Sequence, residues 1–107
     1  MDAHALDRLF ATILARRGAS AKKSYTARLM NAGLQQCAKK LGEEGVEAAL
    51  AAASGKKNDL ISESADLIYH LLVVWAVAGI KPHSIYEELE KRKGRSGLAE
   101  KRARKRI

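Results

Sequence analysis

Apolar side chains recur every three or four residues along most of this chain, and no segment alternates between apolar and polar residues as a strand does. Glycines stand where the helical patterns stop, at Gly18, Gly33, Gly55 and Gly79. The patterns predict helices over about residues 3–17, 24–33, 34–53 and 58–78, and a last helix from Pro82. We therefore expect an all-α, bundle-like fold in a single domain that spans residues 1–107.

The composition favours a cytoplasmic protein with a modest core. Of the 107 residues, 47% are hydrophobic, so the chain is not of the disordered class. Cys37 is the only cysteine, which fits a reducing compartment because no internal disulfide is possible. The N-terminus carries Asp2 and Asp7 and lacks the apolar stretch of a signal peptide. The longest apolar run, residues 71–80, falls short of the about 20 residues that span a bilayer, so we expect a core helix and no membrane partner.

The formal net charge of +8 is concentrated near the C-terminus. Nine basic residues and one acid lie between Lys91 and Ile107, and they end in a basic tail over about residues 102–107. Such a tail attracts polyanions, including nucleotides and nucleic acids, but charge alone favours a solvated tail.

The middle of the chain concentrates acidic residues on two predicted helices. Glu44 and Glu47 lie about 60° apart on one helix flank, beside an apolar stripe that comprises Leu34, Cys37, Ala38, Leu41, Ala48, Ala49 and Ala52. Glu63 and Asp66 have the same relation on the next helix. A short turn joins the two helices, which predicts that they are antiparallel neighbours whose acidic pairs face each other.

Facing carboxylates raise each other's pKa unless a cation lies between them. Magnesium prefers oxygen ligands, polarises phosphoryl oxygens and activates water. The alternative is an exposed acidic face that forms ion pairs with lysines, namely Lys39, Lys40, Lys56 and Lys57. Spacing alone leaves both interpretations open. Two glycines within the first acidic helix, Gly42 and Gly45, further predict that another helix or a ligand packs closely there.

Several segments resemble one known family. The stretches Lys39 to Glu47 and Glu63 to Val73, the Ser24-Tyr25-Thr26 motif, and the C-terminal part around Arg92 and Ser96 to Lys101 are similar to those of phosphoribosyl-ATP pyrophosphatases. The resemblance covers about residues 6–104. It implies an α-helical bundle of the all-α nucleotide pyrophosphohydrolase type, completed by dimerisation.

The resemblance also implies an activity. The expected reaction is hydrolysis of phosphoribosyl-ATP to phosphoribosyl-AMP and pyrophosphate, the second step of histidine biosynthesis, by magnesium-activated water in a cytoplasmic homodimer. The family's E-x-x-E and E-x-x-D signature maps onto Glu44, Glu47, Glu63 and Asp66 as ligands of Mg²⁺. The expected catalytic residues are Glu43, Glu44 and Glu47. Glu43 is a candidate general base, outer metal ligand or contact across the dimer.

Basic and polar residues near these motifs are candidates for substrate binding. Lys40 is expected to bind phosphate, with pairing to Glu44 as the alternative. Arg92, Arg95 and Lys101 are further candidates for phosphate contacts, and each is equally consistent with a solvated helix end. Tyr25 is a candidate for contact with the nucleotide or ribose phosphate, or it belongs to a helix cap. His70 is expected to be a hydrogen-bonded core residue.

Two other functions remain open from the sequence. The first is a general nucleoside triphosphate pyrophosphatase with the same acidic signature. The second is a non-enzymatic, nucleic-acid-binding helical module that uses the basic C-terminus, although it leaves the carboxylate pairs unexplained, so we expect no nucleic-acid partner. Val46 and Leu50 lie away from the apolar stripe of their helix, which favours a homodimer that buries them.

Overall fold

The computed structural model describes residues 4–93, which form α-helices and no strand. The elements in chain order are α1 (His4–Ala15), α2 (Tyr25–Ala32), α3 (Leu34–Ser54), α4 (Lys57–Ala78) and α5 (Pro82–Arg92). The predicted all-α class is therefore confirmed over this part of the chain. The basic tail lies outside the described residues.

Local signals set most helix ends. The Ser24 hydroxyl accepts a hydrogen bond from the Ala27 backbone N–H at 3.1 Å, which caps α2. Gly55 and Gly79 end α3 and α4 in the left-handed conformation, with φ of +74° and +76°. α4 begins at Lys57, one residue before its predicted start, and no side chain caps it.

The core lies where α4 crosses the other helices. α4 packs against α1, α2 and α3, and its contact with α3 is the most extensive in the described chain. The buried cluster comprises Phe10, Ile13, Met30, Cys37, Leu72, Val73 and Ala76. Burial of Cys37 is thus as predicted. The apolar stripe predicted for α3 was too wide, since Leu34, Ala38, Ala49 and Ala52 are exposed, while Ala51 is buried in their place.

α4 is long and apolar enough to cross a membrane by length and composition alone. The core helix of a soluble protein passes the same test. In this structure α4 lies between other helices and buries His70, Leu72, Val73 and Ala76. These contacts support the predicted core helix.

Two side-chain hydrogen bonds fix α1 and the segment after it to the rest of the bundle. Arg17 donates from Nη2 to the Ala76 carbonyl at 2.7 Å, near the C-terminus of α4. The Tyr86 hydroxyl of α5 donates to the Asp7 carboxylate of α1 at 2.9 Å. Within residues 4–93, the clustered acidic side chains of the α3–α4 hairpin are half-buried or exposed.

Candidate metal centre

The α3–α4 hairpin brings together three of the four carboxylates that the sequence places on facing helix flanks. Glu44 of α3 and Glu63 and Asp66 of α4 each present an oxygen, and these oxygens lie within 4.8 Å of one another. Glu44 and Glu63 are half-buried, whereas Asp66 is exposed. The cluster is therefore open to solvent and to a ligand on the Asp66 side.

The electrostatics of this cluster favour a bound cation. Partial burial raises the pKa of Glu63, and the neighbouring charges of Asp66, Glu47, Glu44 and Asp59 raise it further. A divalent cation would reverse this effect, because it stabilises the ionised form of every carboxylate around it. The donors are hard oxygens, which Ca²⁺ and Mg²⁺ prefer, and Mg²⁺ commonly uses few carboxylates with waters and substrate phosphates. The residues present thus fit a hard dication.

Glu47 lies outside the tight three-residue group. It lines an open groove beside the cluster, together with Leu50, Ala51, Ser54, Lys56, Asp59 and Glu63. Its charge contributes to the raised pKa of Glu63, so it lies within electrostatic reach of that carboxylate. The ligand role of Glu47 stays a prediction.

Lys40 lies against the α3 side of the cluster. The Lys40 Nζ lies 3.6 Å from Glu44 and 3.7 Å from Glu43. The pKa of Lys40 is raised, most strongly by Tyr25 and then by Glu43 and Glu44. Of the two roles that the sequence left open, the ion pair with Glu44 is present in this structure. The phosphate-binding role of Lys40 and the catalytic role of Glu43 stay predictions.

Tyr25 and His70 form a hydrogen-bonded pair next to the carboxylates. The Tyr25 hydroxyl lies 3.1 Å from His70 Nε2, and His70 Nδ1 lies 2.7 Å from the Asp66 carbonyl oxygen. His70 is buried, as a hydrogen-bonded core histidine should be. Thr26 and Tyr69, which adjoin this pair in sequence, form a second link between α2 and α4, because their hydroxyls are hydrogen-bonded to each other.

Arg28 is a residue near the site that the sequence analysis missed. Its guanidinium carbon lies 5.9 Å from the centre of the Tyr25 ring, over the ring face. Tyr25 and Arg28 are three residues apart on α2, and this spacing could have predicted their contact, because residues at i and i+3 are neighbours on a helix.

The other predicted substrate contacts are placed elsewhere or are not described. Arg92 lies at the end of α5, a helix that packs against α1, and its Nε donates to Glu88 at 3.3 Å. Arg95 and Lys101 fall outside the described residues. The role of these three residues toward substrate stays a prediction.

Comparison with known proteins agrees with this geometry. Residues 6–93 match the phosphoribosyl-ATP pyrophosphohydrolase family. The chain is 56% identical over 103 residues to the phosphoribosyl-ATP pyrophosphatase of Parvibaculum lavamentivorans. The aligned region covers 96% of this chain and 94% of that protein. It is 51% identical over 105 residues to the phosphoribosyl-ATP pyrophosphatase of Azospirillum brasilense, covering 98% and 95%. The protein of that name from Methylobacterium nodulans is 54% identical over 101 residues, covering 94% and 92%. This chain therefore belongs to the phosphoribosyl-ATP pyrophosphohydrolase family.

Proposed function

We propose that this chain hydrolyses phosphoribosyl-ATP to phosphoribosyl-AMP and pyrophosphate, the second step of histidine biosynthesis. Membership of the family and the names of the similar proteins support the substrate. The observation that carries the chemistry is the meeting of Glu44, Glu63 and Asp66 at the open side of the α3–α4 hairpin. Three clustered carboxylates can bind a divalent cation. The substrate of this reaction and its product pyrophosphate are polyphosphates, which also bind divalent cations.

Glu44, Glu63 and Asp66, with Glu47 at the adjoining groove, would hold Mg²⁺. Bound there, Mg²⁺ supplies a Lewis acid that polarises phosphoryl oxygens and makes water more acidic. Water attacks the α-phosphorus, and the bond from that phosphorus to the oxygen bridging to the β-phosphate breaks, so that pyrophosphate leaves. No serine or cysteine nucleophile is needed, and Cys37 is buried within the core.

Glu43 and Lys40 would act beside these ligands. Lys40 lies between Glu43 and Glu44, and with Glu44 engaged as a metal ligand the Lys40 ammonium would be available to bind a substrate phosphate. Glu43 is left on the solvent side, where its carboxylate can accept a proton from the attacking water. Tyr25 would contact the nucleotide or ribose phosphate, and Arg92, Arg95 and Lys101 would add phosphate contacts from the C-terminal part of the chain.

We also propose that the chain forms one domain over residues 1–107, including a basic tail. Two copies would assemble as a homodimer in the cytoplasm. Val46, Leu50 and Ile61 on the α3–α4 hairpin are 58%, 61% and 68% exposed. Large apolar side chains this exposed on adjacent helices favour burial by a second copy. The groove that contains Leu50 also contains Glu47 and Glu63, which would place the partner close to the carboxylates.

A substrate panel tests the proposed function. Purified protein is incubated with phosphoribosyl-ATP or with ordinary nucleoside triphosphates, with and without Mg²⁺, and released pyrophosphate is measured. We expect Mg²⁺-dependent release from phosphoribosyl-ATP alone. Release from the ordinary triphosphates would assign a general pyrophosphatase, and no release from folded protein would overturn the enzyme function.

A further inference from the structure

An open groove extends from the carboxylate cluster toward the turn between α3 and α4. Its volume is about 240 Å³, and it is lined by Glu47, Leu50, Ala51, Ser54, Lys56, Asp59 and Glu63. Glu63 belongs both to the groove and to the cluster, so the groove adjoins the candidate metal centre. Along α3 the groove extends from Glu47 to Ser54, a rise of about 10 Å. Since a water molecule occupies about 30 Å³ in the liquid, the groove has room for a diphosphate group and several waters.

Lys56 is the basic residue among the described residues that line this groove. Within residues 4–93 its ammonium forms no ion pair, although Glu47, Asp59 and Glu63 line the same groove. The pairing of Lys56 with the acidic face, which the sequence left open, is therefore absent from this part of the chain. Lys56 is also exposed, so its charge is available to an anionic ligand that enters the groove.

The two sides of the cluster differ in their chemistry. His70 follows the cluster along α4, away from the turn, and its Nε2 lies 3.1 Å from the Tyr25 hydroxyl. Tyr25 is 43% exposed, so its ring can stack on a nucleobase. On the side of the turn, none of the described residues that line the groove is aromatic, and Lys56 supplies a positive charge. The phosphate chain of a nucleotide therefore suits the groove, and its base suits the side of Tyr25.

We propose that Lys56 is a further substrate-binding residue, which holds the β- and γ-phosphates in this groove as they leave together as pyrophosphate. The proposal rests on the proposed hydrolysis of phosphoribosyl-ATP. In that reaction the attacking water loses a proton to Glu43 and bonds to the α-phosphorus, and the bridging oxygen leaves with the electron pair of the broken bond. The Lys56 ammonium beside this leaving group stabilises the negative charge that develops on it. The groove also contains three carboxylates, so a bound phosphate needs a nearby cation.

Calorimetric titration with pyrophosphate at saturating Mg²⁺ tests this assignment. Lys56→Gln should weaken binding about tenfold, because it removes a charged hydrogen-bond donor, and Lys56→Arg should keep most of the affinity. Lys57→Gln is the matched control, since it removes the same charge from the next residue, which is not among those that line the groove. We expect it to change affinity less than about twofold, because salt screens an exposed charge without a direct contact. Equal losses in Lys56→Gln and Lys57→Gln, or no pyrophosphate binding by the native protein, would overturn the proposal.

Titration with the other product, phosphoribosyl-AMP, tests the orientation of the substrate. Lys56→Gln should leave this affinity nearly unchanged, and a loss as large as that for pyrophosphate would contradict the orientation. Light scattering should show the same subunit assembly for Lys56→Gln and the native protein, since a change would mean that Lys56 contacts a partner chain instead. Normal turnover and normal pyrophosphate affinity in Lys56→Gln would overturn the role of Lys56 alone, whereas absence of turnover in the native protein would overturn the proposed function.

Discussion

Glu44 of α3 and Glu63 of α4 hold carboxylate oxygens within 4.8 Å of each other, although the whole α3–α4 turn separates them along the chain. Like charges at this distance oppose folding unless a proton or a cation lies between them. The site is therefore coupled to the stability of the hairpin. That coupling makes the proposed metal binding measurable without substrate.

Glu63→Gln should change how stability responds to Mg²⁺. Without divalent ions, the neutral amide removes repulsion from Asp66 and Glu44, so the melting temperature should rise. A ligand at a hundredfold excess over its Kd stabilises the native state by about 2.7 kcal/mol, and the variant should lose most of that gain. Calorimetric melting with EDTA or MgCl₂ measures both effects, and Glu90→Gln on exposed α5 is the matched control. An equal Mg²⁺ response in both variants would contradict the assignment of the site.

The pH dependence of metal-free stability should show the raised pKa of Glu63. Partial burial and nearby carboxylates lift that pKa above its ordinary value of 4.5. The folded chain then binds more protons than the unfolded chain. The favourable contribution of protonated Glu63 to the free energy of unfolding is therefore fully present below pH 4.5, and it is lost as the pH rises through the folded-state pKa. Denaturant unfolding at several pH values should show the stability advantage of Glu63→Gln growing across this window. An advantage that is constant from pH 4 to 8 would contradict this expectation.

Replacing Gly42 by alanine should stabilise the described fold. A Cβ atom at Gly42 would meet nothing within 4 Å, and one at Gly45 would lie 3.9 Å from Leu67, an ordinary contact. No helix of residues 4–93 packs too closely for alanine at either position. Helix propensity then favours alanine by about 1 kcal/mol, seen as a higher melting temperature. A variant that is more stable but less active would show that a ligand or partner chain needs the space.

Charge on the exposed apolar face should dissociate the proposed homodimer. Leu50→Lys places an ammonium among side chains that a second copy would bury, so light scattering after size exclusion should show monomers. Thr12→Lys, on an exposed position of α1, is the control and should leave the dimer intact. Native protein that is monomeric at every concentration tested would contradict the dimer.

Periodicity and glycine positions were sufficient to predict the helices and the meeting of Glu44 with Glu63 and Asp66, because a short turn leaves two helices few ways to pack. The same reasoning placed Cys37 in the core. It misjudged which alanines of α3 are buried, since among residues 4–93 α3 contacts only α2 and α4 extensively. The contact between Tyr25 and His70 depends on how α2 crosses α4, and no spacing within one helix determines that crossing.

The most direct test of the central claim follows phosphoribosyl-ATP by ³¹P nuclear magnetic resonance in the presence of Mg²⁺, with native protein and with Glu63→Gln. Native protein should convert the triphosphate signals to those of phosphoribosyl-AMP and pyrophosphate, and removing Mg²⁺ or the Glu63 carboxylate should slow conversion at least a hundredfold. Release of inorganic phosphate instead of pyrophosphate, or undiminished conversion by a correctly folded Glu63→Gln variant, would contradict the claim that this carboxylate cluster performs the reaction.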